Sequence, residues 1–234
     1  PAGLISIGQN GFANCGLTSI SFPASLTTLG NNSFSGCKQL TSVIVPETVT
    51  SIGTNLFKDC TGLTSVELHA TLTSLSNYMF SGCTGLSTFS FPAGLTSIGD
   101  YTFFKCSGIE SLEIPENVTS IGQYAFSDCS SLTSIKLPST LKKINARTFQ
   151  NCSKLASVDL PETVTEIGAY AFSGCSELSS IELPAGLISV GNYMFQNCKK
   201  LTSVKLPEKV DKVAQYMFSG CTALESVQLP ESVQ

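Results

Sequence analysis

A spacing of 23 residues governs this chain. Cysteine falls at Cys15, Cys37, Cys60, Cys83, Cys106, Cys129, Cys152, Cys175, Cys198 and Cys221, so every interval is 23 residues except the first, which is 22. Phenylalanine keeps step three residues earlier, from Phe12 and Phe34 to Phe218. A proline column runs from Pro23 through Pro46 to Pro230, with His69 at its one gap and Pro1 in the same phase. Self-similarity at such a period marks a repeat architecture whose unit is too small to bury its apolar face alone. About ten units must therefore stack and share one core.

The unit from Pro115 to Leu137 reads PxxVTSIGxYAFSxCxxLTSIxL, with apolar residues at Val118, Ile121, Phe126, Leu132, Ile135 and Leu137. The LTSIKL segment predicts one short strand per unit, and VTSIG predicts a second extended segment. Gly122 closes that segment, and its freedom at positive φ predicts a corner there. Pro115 fixes φ and ends ladder pairing. QYAFSDC predicts one turn of helix. With parallel strands about 4.8 Å apart, ten units give a ladder roughly 50 Å long, with one concave face if the stack curves.

Hydrophobic residues make up 42% of the chain, enough for a substantial core, which argues against disorder. The net charge of -4 is spread along the sequence, which argues against binding to nucleic acid or to an anionic lipid surface. No run approaches the roughly 18 apolar residues of a membrane span, and no secretory leader opens the chain. A soluble protein is expected. Pro1 opens a unit in phase and residues 231 to 234 begin another, so a longer parent protein is also expected.

The LxxIxL spacing, followed by a variable half carrying the FxxC pair, resembles the leucine-rich-repeat family and specifically its BspA-like class of 23-residue repeats. The resemblance covers essentially the whole chain. Departures are small: a one-residue deletion between Cys15 and Leu17, His69 for proline, Ser76, Asn145 and Ala214 for glycine, and Ile109 for leucine. The resemblance implies a repeat solenoid wound as a right-handed superhelix, with short parallel strands joined by irregular or short helical turns. It implies one domain over residues 1–234, part of a larger secreted or cell-surface protein of bacteria or of mucosal protozoan parasites. Its repeats would bind host or neighbouring-cell proteins and catalyse nothing.

The cysteines do not read as a disulfide framework. Counterparts in a stacked ladder sit about 4.8 Å apart with parallel Cα–Cβ vectors, whereas a disulfide needs converging Cβ atoms about 3.8 Å apart. Without CxxC and with a single histidine, no zinc site is expected either. Buried thiols acting as small hydrophobes and weak donors to the neighbouring unit are expected, with Cys15 beside the deletion as the exception. No nucleophile has an oriented base and no cofactor motif appears, so catalytic, metal and cofactor sites are all read as none.

Recognition in a solenoid belongs to columns that vary while their neighbours hold shape. One strand column alternates with buried positions and reads Ser21, Ile44, Glu67, Ser90, Glu113, Lys136, Asp159, Glu182, Lys205 and Gln228. It is either a protein-recognition face or a set of cross-rung ion pairs, such as Asp159 with Lys136 and Glu182 with Lys205. All six tyrosines share another column, among them Tyr101 and Tyr124. They form either an aromatic contact surface or, in the preferred reading, rim packing. Phe104 either anchors a partner or folds over a neighbouring rung. Lys142, Lys143 and Arg147 either steer an acidic ligand or form a solvated edge. His69 is read as structural. Three glycosylation sequons begin at Asn31, Asn117 and Asn151, the last overlapping the cysteine column.

Overall fold

A computed structural model describes residues 3–69 and 71–231 of the chain; Pro1 and residues 232–234, to which part of the end-phase reading applied, lie outside the described residues. Short apolar segments recurring every 23 residues pair with their own counterparts, and the result is a parallel β-solenoid of about ten turns. Each turn has three sides.

The VTSIG segments form two-residue strands such as Ser51–Ile52, Ser97–Ile98, Ser120–Ile121 and Ser189–Val190. The LTSIxL segments form three-residue strands at Ser42–Ile44, Ser65–Glu67, Ser111–Glu113, Ser134–Lys136, Ser203–Lys205 and Ser226–Gln228. Pairing is parallel and joins residues one repeat apart, Ser134 to Ser111 and Lys136 to Glu113. The deletion after Cys15 shifts nothing but the count, since Ser6 pairs with Thr28. Alternation across the strand puts Ile135 in the core and leaves Ser134 and Lys136 in solvent. The expected strand is not laddered in every unit: the turns carrying Ser21, Ser90, Asp159 and Glu182 run alongside without pairing.

The third side corrects a sequence expectation. QYAFSDC forms turns, and among the described residues there is no helix. Tyr124 and Asp128 sit at φ 55° and 60°, in the left-handed region that a right-handed helix cannot pass through. The same two positions are left-handed in each turn, from Asn10 and Asn14 to Tyr216 and Gly220. This alternation aims every second amide up the stack. The N–H groups of Tyr124, Phe126 and Asp128 donate to the carbonyls of Ala146, Thr148 and Gln150 at 3.1, 3.0 and 2.8 Å. A third backbone ladder thereby replaces the expected helical turn and satisfies the same groups.

Gly122 is a second correction. The glycines at positive φ are Gly36, Gly82, Gly174 and Gly220, which precede the cysteines. Gly122 instead permits close stacking, because a Cβ there would lie 2.5 Å from the Asp100 amide nitrogen and 2.6 Å from the Gly99 carbonyl carbon. Corners are made at the prolines, where the Pro115 carbonyl accepts the Val118 amide at 3.0 Å.

One apolar core runs from Ile7 to Met217. Its axis is the phenylalanine column, in which Phe34 to Phe195 are fully buried and successive rings stack, as Phe103 does on Phe126 at 5.5 Å. Burying such a ring contributes about 2–3 kcal/mol, and each ring is covered by the turns above and below. No turn can therefore hold its own core alone.

The cysteines line the core as free thiols. Each thiol from Cys37 onward reaches the preceding turn, as Cys60 Sγ does to the Phe34 carbonyl at 3.1 Å and Cys106 Sγ to Phe80 at 3.1 Å. Burial pushes the Cys60, Cys129 and Cys175 thiols up to about 12, from an ordinary 9.0. Cys15 is half-buried, and so is Cys221 at the other end of the column.

Candidate recognition surface

The strand column is exposed throughout its length. Ile44 is 64% exposed, an unusual position for isoleucine, and Glu67, Glu113, Lys136, Asp159, Glu182 and Lys205 all face solvent. Beneath them Leu112, Ile135, Val158 and Ile181 form a buried floor. Beside them stand Ser111, Ser134, Ser157, Ser180 and Ser203, so that side-chain identity varies in one column on a nearly constant support.

The expected ion pairs did not form as drawn. Lys136 pairs with Glu113, whose hydrogen bond raises the lysine's pKa, and neither Asp159–Lys136 nor Glu182–Lys205 is an ion pair. The cause is the broken ladder: Lys136 is in register with Glu113 across paired strands, while the turns of Asp159 and Glu182 are unpaired. Among the described residues, Asp159, Glu162 and Glu182 have no cation within 4.0 Å. These three line one shallow cavity of about 410 Å³. It shares Ser157 and Asp159 with a cavity of about 520 Å³ that begins at Phe89. It shares Ser180 to Leu183 with a third of about 650 Å³ that reaches Lys209. The three form one groove along the strand face, which runs over the paired strands Ser111–Glu113 and Ser134–Lys136 and on across the unpaired turns of Asp159 and Glu182.

The tyrosine column is a stack whose rings cover one another. Tyr78 lies on Tyr101 at 4.5 Å and Tyr101 on Tyr124 at 4.3 Å, with Tyr170, Tyr193 and Tyr216 continuing the series. Arg147 fills the tyrosine position between the two halves, its guanidinium 5.0 Å from the Tyr124 ring and 4.6 Å from Tyr170. Ring faces are thus used within the protein, leaving edges and hydroxyls outside, which supports rim packing over a contact surface. Phe104 is half-buried and packs edge-on against Tyr101 at 5.5 Å. Its ring also stands edge-on 6.5 Å from Tyr124 of the neighbouring turn.

The basic trio disperses. Arg147 belongs to the stack, and Lys143 pairs with Glu166 at 2.9 Å. His69 bridges turns, with Nε2 2.9 Å from the Val49 carbonyl and Nδ1 2.8 Å from Thr71 Oγ1. Of the sequon asparagines, Asn31 accepts the Thr54 amide, while Asn151 donates to Asp128 and precedes the buried Cys152. Phase alone would have placed Arg147 among the tyrosines. Nothing in the sequence marks Glu162 as a groove residue, because it stands between Ser157 to Leu160 of the preceding unit and Ser180 to Leu183 of its own only once the turns are wound.

A parallel solenoid with one apolar spine, a thiol ladder and an exposed variable strand face defines a leucine-rich-repeat protein. More specifically, residues 5–133 and 119–234 match the profile of the BspA type leucine-rich repeat region in six copies, and the chain belongs to that family. It is similar to a leucine-rich repeat protein from Bacteroides ovatus, with 28% identity and a TM-score of 0.78 over 100% of this chain. It spans 66% of that protein's crystallised chain. A leucine-rich repeat protein of T. pallidum is 32% identical, with a TM-score of 0.65 over 68% of this chain and 77% of the other. The pneumococcal vaccine antigen PcpA, 17% identical over 99% of this chain and 72% of its own, shares the fold with a TM-score of 0.51. No protein of curated function matches the chain.

Proposed function

We propose that this chain is a non-enzymatic recognition domain that binds a protein partner through its strand face. The observation that carries the reading is the groove from Phe89 to Lys209, where exposed residues change in charge and size from turn to turn over an apolar floor. A groove this long and shallow suits an extended or broad macromolecular surface better than a small molecule, which needs enclosure. Host matrix or cell-surface protein is the favoured partner class. The chain forms one solenoid domain within a longer protein displayed outside the cell, a reading supported by its membership in a family with bacterial relatives. Among the described residues, no helix is long and apolar enough to cross a membrane.

The decisive experiment immobilises the intact chain against a panel of host matrix and serum proteins. Binding that is lost in the triple variant Glu113→Lys, Asp159→Lys and Glu182→Lys supports recognition by the strand face. No binder for an array with its flanking repeats present would sink the proposal.

A second reading, a spacer or a rod that self-associates, draws on the unbroken phenylalanine and tyrosine–arginine stacks, which stiffen the array without needing any distinctive patch. A spacer is indifferent to the charge reversals.

A further inference from the structure

Glycine closes the VTSIG segment in most turns, but Ser76, Asn145 and Ala214 stand there instead, each separated from the next by three repeats. This substitution coincides with a change in backbone bonding. The amides of Gly30, Gly53, Gly99, Gly122, Gly168 and Gly191 donate to the carbonyl of the preceding turn at 2.8 or 2.9 Å. Ser76, Asn145 and Ala214 make no such bond. Three residues upstream the pattern repeats: Thr50, Thr96, Thr119 and Thr165 bond the turn below, and Thr73 and Lys142 do not. The two-residue strands accordingly group as three sheets of three, broken before Ser74–Leu75, before Lys143–Ile144 and after Ser189–Val190.

The physical cause is steric. A Cβ on Gly30, Gly53, Gly99, Gly122, Gly168 or Gly191 would fall 2.2 to 2.8 Å from backbone in the preceding turn, so a side chain there forces that turn away. Where the side chain is polar it spans the opened gap. Ser76 Oγ donates to the Gly53 carbonyl at 2.8 Å, and Asn145 Nδ2 donates to the Ile121 carbonyl at 2.6 Å. Alanine has nothing to offer.

At the steps before Ser76 and before Asn145 the strand face carries no ladder as well, since Ser65–Glu67 and Ser134–Lys136 have no strand partner in the following turn; on that face a backbone bond, from the Ala156 amide to the Thr133 carbonyl at 3.4 Å, crosses the second step. The cysteine side stays closed across both steps: Phe57 bonds Met79 at 2.9 Å and Phe126 bonds Thr148 at 3.0 Å. The Cys83 and Cys152 thiols bridge there too. The step before Ala214 keeps its strand-face pair, Ser203–Lys205 with Ser226–Gln228, and is open on one side only.

The geometry points to a solenoid built as three-turn blocks joined by two hinges, at Ser76 and Asn145, which pivot on the cysteine-side ladder and open toward the strand face. The recognition surface is then a set of rigid plates whose relative tilt adjusts at these joints. The hinges stand independently of whether a partner binds.

Amide hydrogen exchange on the intact chain, with residue resolution, tests this. Thr73, Ser76, Lys142 and Asn145 are expected to exchange roughly tenfold faster or more than Thr96, Gly99, Thr119 and Gly122. Ser76→Gly and Asn145→Gly should each restore the missing bond and slow exchange at their own joint alone. Gly99→Ser should create a new fast site at Thr96. Uniform protection along the array would overturn the proposal, and so would joints that stay fast in both glycine variants.

Discussion

The carbonyl of Phe57 accepts the thiol of Cys83 from the turn above at 3.1 Å, while also accepting the Cys60 amide of its own turn at 3.1 Å. Cysteine recurs because one side chain must be small enough for the core, apolar enough to lie beside the phenylalanine spine, and able to donate one bond between turns.

Replacing Cys129 separates these requirements. Cys129→Val removes the thiol donor to the Phe103 carbonyl, which keeps the Cys106 amide at 3.0 Å, and should cost about 0.5–1.5 kcal/mol, the usual net worth of one hydrogen bond. Cys129→Ser keeps a donor and should be the milder change. Urea midpoints of the two variants give the order, and a valine variant at least as stable as the serine variant would contradict it.

Thiol ionisation gives the array a directional pH dependence. The Cys60, Cys129 and Cys175 thiols are pushed up to about 12 by burial, from 9.0 when unfolded. A raised thiol pKa means the unfolded chain loses its proton first, so stability is fully present below pH 9 and declines toward pH 12. Denaturation midpoints across this range should fall steadily. At pH 8 a thiol reagent should modify Cys15 and Cys221 well before any thiol between them, all of which are buried.

Arg147 joins two tyrosine half-stacks at φ 59°. Arg147→Ala loses both ring contacts and should cost about 1 kcal/mol. Arg147→Tyr should hold stability by completing the column. Arg147→Lys should fall between them, because an ammonium lacks the planar face that stacks on a ring. Thermal melts of the three variants decide the ranking.

Gly8 and Gly122 occupy the same column under different conditions. A Cβ on Gly122 meets the Asp100 amide nitrogen at 2.5 Å, whereas one on Gly8, in the first turn, meets nothing within 4 Å. Gly122→Ala should cost about 1–3 kcal/mol through overpacking, and Gly8→Ala should be close to neutral. Equal effects in chemical denaturation would show that stacking distance is not what the column protects.

The period, the register and the identity of the core were legible because stacking forces equivalent residues into rows: 23-residue spacing fixed which residues meet. Free thiols and the exposed strand column followed from the same geometry. The chemistry of the turns was legible but misread. Asparagine at positions 10, 32 and 55, in the phase later taken by tyrosine, together with the Asn, Asp and Gly residues before the cysteines, already marked two left-handed sites per turn. Those sites exclude the helix that local propensity suggested.

Only the tertiary structure decided which turns actually pair. Whether Lys136 finds Glu113 or Asp159, whether Arg147 is a ligand-steering charge or a rung, and where the groove opens all depend on fractions of an ångström between successive turns. A repeat sequence specifies that its units stack. The closeness of each step is set by side chains such as Ser76 and Asn145, whose effect appears only when another turn lies against them.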